Sequence, residues 1–185
     1  MICKYRVTLE GIKGFYRLYE ISPSCSLYNF HKQLRSDLEF PMDQPILFKA
    51  FGADGEVLAR YALIDLGFKP VDEVSIADTI KAGVTRFSYF YDIASKKYVI
   101  ITFEGQFPGN VAAPNVVESK GPVPLEFENG YVAFEDLPEQ RRKPRLEALD
   151  EDDDDEDDDE EEEEEEEEED DDEDGKEEII YDENE

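Results

Sequence analysis

The chain is poor in the residues that most often carry chemistry: it has one histidine, two cysteines and no tryptophan in 185 residues. With a single imidazole, His31, any histidine-based acid or base has to be this residue. Cys3 and Cys25 are too few for a disulfide framework, and a reducing, cytoplasmic compartment is expected. Together with His31 they offer three zinc donors at most, without CxxC or HxxxH spacing, where a structural zinc takes about four. No metal and no cofactor is expected. No stretch approaches the ~18 apolar residues of a membrane span, so no membrane partner is expected. The opening residues Met1 to Arg6 lead directly into polar–apolar alternation, without the apolar segment of a signal peptide. Walker, GxGxxG, GxSxG and HExxH motifs are absent as well.

Basic residues are scarce too, with 19 Lys and Arg against 50 Asp and Glu and a formal net charge of −31. The imbalance is local. Residues 1–149 carry 18 Lys and Arg against 20 Asp and Glu, whereas residues 150–185 carry one Lys against 30 acids. From Asp150 through Glu160 to Asp174 the chain is twenty-five acids without interruption. Neighbouring carboxylates on an extended backbone lie about 3.5 Å apart and repel by about 1 kcal/mol in water. A helix would bring like charges together at i and i+4, and no apolar residue offsets the ordering entropy. The run is therefore expected to be disordered and extended, either as a solubilising tail or as a polyanion that docks basic proteins. One charge per ~3.5 Å is close to the ~3.4 Å of a nucleic-acid strand, so nucleic acid itself is excluded by sign as the tail's own ligand. Weak binding of divalent cations is expected. Asp170, Asp172, Asp174 and Gly175 match the start of an EF-hand loop, but its twelfth position is Tyr181 instead of a bidentate Glu.

The body alternates cleanly at its start: Cys3, Tyr5, Val7 and Leu9 against Lys4, Arg6, Thr8 and Glu10, which predicts a half-buried strand. Gly11 to Gly14 turn the chain into a return strand over residues 15–21. Leu27, Phe30, Leu34 and Leu38 fall at helical spacing, with Ser24 or Ser26 as cap and Pro41 as stop. Strands are expected near residues 46–51 and 56–63, a capped helix from Ser75 with Gly83 at its end, and a strand pair over 87–91 and 98–103. The expected class is α+β in the order ββ-α-ββ-α-ββ, an antiparallel or mixed sheet packed on one main helix. Three regions follow: an α+β domain over 1–104, a Pro/Gly-rich arm with a basic segment over 105–149, and the acidic tail over 150–185. Short strands near 125–127 and 131–134 are expected to dock the arm.

The strand Tyr5-Arg6-Val7-Thr8-Leu9, the step Tyr16-Arg17, the helix opening Leu27-Tyr28-Asn29-Phe30-His31 and the strand Phe87-Ser88-Tyr89-Phe90-Tyr91-Asp92 together resemble the plasmid pRiA4b ORF-three-like family. Its members are also labelled passenger, TnpR-type proteins of an insertion element. The resemblance covers about residues 1–135. Where the family often continues Tyr-Asp-Phe-Gly-Asp-x-Trp, this chain reads Tyr91-Asp92-Ile93-Ala94-Ser95-Lys96-Lys97-Tyr98. The resemblance implies a fold and a link to mobile elements, without an established reaction.

Six residues of the body are candidate binding positions: Arg17, His31, Arg86, Tyr89, Tyr91 and Asp92. Arg17 and Asp92 are expected to form a structural pair, with a ligand contact second. Cys25 precedes the helix that carries His31, so a Cys–His nucleophile is not expected. Residues 86–91 interleave cation and aromatics as a nucleic-acid stacking platform would, although half of those rings must face the core. Arg141, Arg142, Lys143 and Arg145 adjoin the acids and are expected to be neutralised by them. With no converging acid, base and nucleophile, the leading expectation is a non-enzymatic binding or adaptor protein whose tail engages or shields basic surfaces. The alternative is a mobile-element accessory protein whose sheet binds nucleic acid, with the tail as autoinhibitor.

Overall fold

The opening alternation becomes strand β1, Ile2–Leu9, in a computed structural model that describes residues 1–64 and 67–138. It pairs antiparallel with β2, Ile12–Ile21, so Cys3, Tyr5 and Val7 turn to one face while Lys4, Arg6 and Thr8 turn to the other. Then come α1 (Leu27–Leu38), β3 (Leu47–Phe51), β4 (Val57–Ala62), the two-residue β5 (Lys69–Pro70), α2 (Ile76–Lys81), β6 (Arg86–Asp92), β7 (Lys97–Phe107), β8 (Asn115–Lys120) and α3 (Pro124–Glu128). All eight strands join one sheet in the order β5-β4-β3-β6-β7-β1-β2-β8. Every pairing is antiparallel except β4 with β5, so the sheet is mixed and the class is α+β.

Both main helices begin on a serine. Ser26 accepts from the Asn29 N–H at 3.3 Å, and Ser75 forms a reciprocal capping box with Asp78. The two starts are stitched together where Leu27 donates to the Val74 carbonyl and Ile76 to the Cys25 carbonyl. Helix α1 stops at Leu38, where Glu39 takes a left-handed φ of 57° and the Phe40 N–H returns to the Arg35 carbonyl. The stop thus precedes the Phe40–Pro41 step that the sequence suggested. Phe30, Leu34 and Leu38 of α1 cover Tyr5, Tyr19, Phe48, Phe87 and Tyr89 of the sheet, all of them fully buried. The Phe30 ring lies 5.8 Å from Tyr5 and 5.5 Å from Tyr19.

The arm is part of this fold. Strand β7 runs unbroken through residues 104 and 105, and β8 adds an edge beside β2. The short strands expected near 125–127 and 131–134 are not formed. Pro124 opens helix α3, where its fixed φ suits a first helical turn, and a 3-10 turn follows at Phe134–Asp136. Phe127 packs edge-on against Phe15 at 5.9 Å, and the Asp136 carboxylate accepts from the Lys13 and Gly14 N–H groups. Gly14 permits this contact, since a Cβ there would come within 2.1 Å of the Ala133 Cβ. The acidic run and residues 141–145 lie outside the described residues.

Candidate functional site

Among the described residues the helices pack on one face of the sheet, and none of them covers the other. The strand register sets its contents. Arg60, Lys49 and Ser88 lie in line across β4, β3 and β6, and beside them Phe51 faces Arg86. The row through Arg86 continues to Thr102 of β7, Arg6 of β1 and Leu18 of β2. Phe90 and Tyr98 form a third row, their rings 5.1 Å apart.

Cations lie over rings throughout this face. Lys49 and Arg86 both lie against Phe51, at 5.2 and 4.9 Å from its centroid, Arg60 lies 5.8 Å from Phe68, and Arg6 lies 4.7 Å from Tyr16. The two halves of the face differ in charge pairing. On β1, β2 and β7, Lys4 bridges to Glu20 at 3.2 Å and Arg6 to Glu104. On β3, β4 and β6, Lys49, Arg60 and Arg86 have no carboxylate partner among the described residues. Lys49 and Arg60 are directly opposed across two strands, where like charges repel.

The candidate residues fall in four places. Arg86 is on the open face. Tyr89 is fully buried on the opposite face, where its hydroxyl meets His31 Nδ1 at 2.9 Å and Arg35 Nε at 3.4 Å. Burial pushes that phenol up to about 12, and burial beside Arg35 and Lys32 pulls His31 down to about 4, so the ring is neutral at pH 7. Arg35, which the sequence reading missed, is 1 % exposed and also donates to the Pro41 and Gln44 carbonyls. It lies four residues beyond His31 on the buried stripe of α1, and that spacing was the available signal. Arg17 stitches the arm instead of pairing with Asp92: its guanidinium donates to the carbonyls of Tyr16, Lys120 and Gly121. Asp92 accepts from the Ser95 N–H in the β6–β7 turn, which holds its carboxyl below the usual range. Cys25 donates to the Ser26 carbonyl and is raised to about 11 by burial, which disfavours a thiolate.

Among the described residues, two concavities stand out elsewhere. One of about 190 Å³ gathers Phe40, Tyr91, Asp92, Lys97 and Glu128, with Phe40 and Tyr91 stacked at 3.9 Å. Glu128 already accepts from both Tyr91 and Lys97. The other, about 700 Å³, is an open polar groove between α1 and residues 110–114, lined by Ser22, Asn29, Lys32 and Gln33. Among the described residues no cluster of His, Cys, Asp and Glu is placed to hold a metal ion, and no helix is long and apolar enough to cross a membrane.

No family model and no curated protein matches the chain. A crystal structure of a protein of unknown function from Methanosarcina mazei Go1 is similar at 12% identity and a TM-score of 0.54, over 64% of this chain and 68% of that one. At that identity the likeness is one of fold.

Proposed function

We propose that the chain is a non-enzymatic binding module with two elements of opposite charge. The open half-face over β3, β4 and β6 takes an anionic partner, and the acidic run from Asp150 to Asp174 engages or shields basic surfaces. The observation that carries the first part is the trio Lys49, Arg60 and Arg86 without a carboxylate among the described residues, on a face whose other cations are bridged. Unsatisfied like charges on one surface strengthen the field toward an anion. The second part rests on the linear charge density of the run.

From the strand and helix residues that carry the resemblance, we infer a kinship with the plasmid pRiA4b ORF-three-like proteins and a mobile-element accessory role. Its two unbridged thiols fit a reducing cytoplasm. The test is a low-salt pull-down with the full chain, a chain ending at residue 149, and the K49Q/R60Q/R86Q variant. Basic partners are expected to vanish on truncation and anionic partners on the triple substitution. Persistence of both sets, undiminished, overturns the reading.

A further inference from the structure

We propose that the β3–β4–β6 half of the open face binds single-stranded nucleic acid, with Phe51 as a stacking ring and Lys49, Arg60 and Arg86 on the phosphates. This rests on the anion-binding reading above and names its partner.

The charge trio asks for an anion, and the rings around it narrow which one. Phe51 is half buried, no described helix covers it, and it is flanked by two cations. Phe90 and Tyr98 continue the aromatic surface one row away, and Phe68 lies beside Arg60 with 37 % of its surface exposed. Planar rings between cations suit a strand that alternates flat bases with phosphates, because stacking is available to every base. An acidic peptide matches the charge but leaves the rings without a planar partner. A duplex hides its base faces, and this sheet face presents no helix or ribbon to enter a groove about 12 Å wide. The footprint is bounded on one side by Glu104 and Glu20, whose bridges neutralise Arg6 and Lys4, and by Glu118, and on the other by the hairpin turn where Glu56 packs against Gly52.

The experiment is fluorescence anisotropy at low salt with labelled oligothymidine and oligouridine of about 20 nucleotides, the matching duplex, and polyglutamate as competitor. It uses the full chain and the chain ending at residue 149, which keeps every core residue from Ile2 to Ala133. Single strands should bind, the duplex at least about tenfold more weakly, and the shorter chain more tightly than the full one. Phe51→Leu should weaken single-strand binding roughly tenfold. Lys49→Gln with Arg86→Gln should lower the slope of log K against log salt by about 1.4. Glu104→Gln, in the bridged half, should not weaken binding. Unchanged melting temperatures exclude misfolding as the cause.

Equal affinity for duplex and single strand, or no effect of Phe51→Leu, overturns the proposal. Binding of polyglutamate through the same three cations, without the oligonucleotides, overturns this partner and leaves the anion-binding reading standing. Binding of no anion by either chain overturns both.

Discussion

Strand β6 belongs to two surfaces. Phe87, Tyr89 and Tyr91 point into the core, while Arg86, Ser88 and Phe90 point to solvent on the opposite face. On the closed side the Tyr89 hydroxyl and the guanidinium of Arg35 are satisfied within the chain. On the open side Arg86 has a ring and a neighbouring cation but, among the described residues, no carboxylate. A stretch that reads as one aromatic–cationic block is thus cut by the pleat into a structural half and a presenting half. A buried polar group must find its partner inside, and an exposed one can wait for a ligand.

The largest expected effect tests that division directly. Tyr89→Ala removes a fully buried ring that also holds His31 and Arg35, and should cost about 3–5 kcal/mol in urea unfolding. Arg86→Ala, three residues away on the same strand, should stay within about 0.5 kcal/mol. Equal losses would erase the distinction between the two sides.

The closed side should also carry a pH signature. Folding holds His31 neutral, with its pKa down at about 4 against an ordinary 6.5. The unfolded chain therefore takes up the proton first as pH falls, and it is favoured. The resulting stability is intact above pH 6.5 and is lost as pH drops toward about 4. The expected loss is on the order of 3 kcal/mol at most, the linkage value of a shift of that size. His31→Gln should flatten this part of the profile relative to the parent chain, measured as urea midpoints at successive pH values. Parallel profiles would place His31 outside the linkage.

Much of this architecture is legible in the residues themselves. Period-two alternation set β1, serine caps and helical spacing set α1 and α2, and Gly11 and Gly83 at left-handed positions set the turns after β1 and α2. Local pattern failed in the arm. Leu125 to Phe127 is apolar enough for a strand, yet Pro124 at a helix start and the packing of Phe127 on Phe15 make it helical. Arg17 and Asp92 look like an ion pair in composition, but each is claimed by a nearby backbone group. The charge trio was out of reach for another reason. Lys49 and Arg60 become neighbours of Arg86 only through strand order, which composition does not carry.

A smaller effect separates two tyrosines on the closed side. The Tyr5 hydroxyl is buried with no hydrogen bond of ordinary geometry among the described residues, only a looser approach to Thr79, whereas that of Tyr89 is engaged. Tyr5→Phe should therefore be neutral or stabilise by up to about 1 kcal/mol, because a poorly satisfied buried donor is removed. Thermal melting beside Tyr89→Phe, which should destabilise, measures the contrast. A clear loss in Tyr5→Phe would mean that its hydroxyl is satisfied after all.

The smallest change in stability returns to the open side, and there stability and binding should move in opposite directions. Lys49 faces Arg60 directly across β3 and β4. Lys49→Glu replaces a like-charge pair with a cross-strand ion pair of the kind that Lys4 and Glu20 already form. The gain should be roughly 0.5 kcal/mol, larger at low salt than at high salt because both groups are exposed enough to be screened. The same variant should lose low-salt affinity for an anionic partner, since it places a carboxylate in the middle of the trio. A protein keeps a repulsive pair on an uncovered face at some cost to folding when a ligand compensates it. If Lys49→Glu instead lowers the melting temperature and leaves anion binding unchanged, Lys49 serves the sheet, and the two halves of the open face do not differ in function.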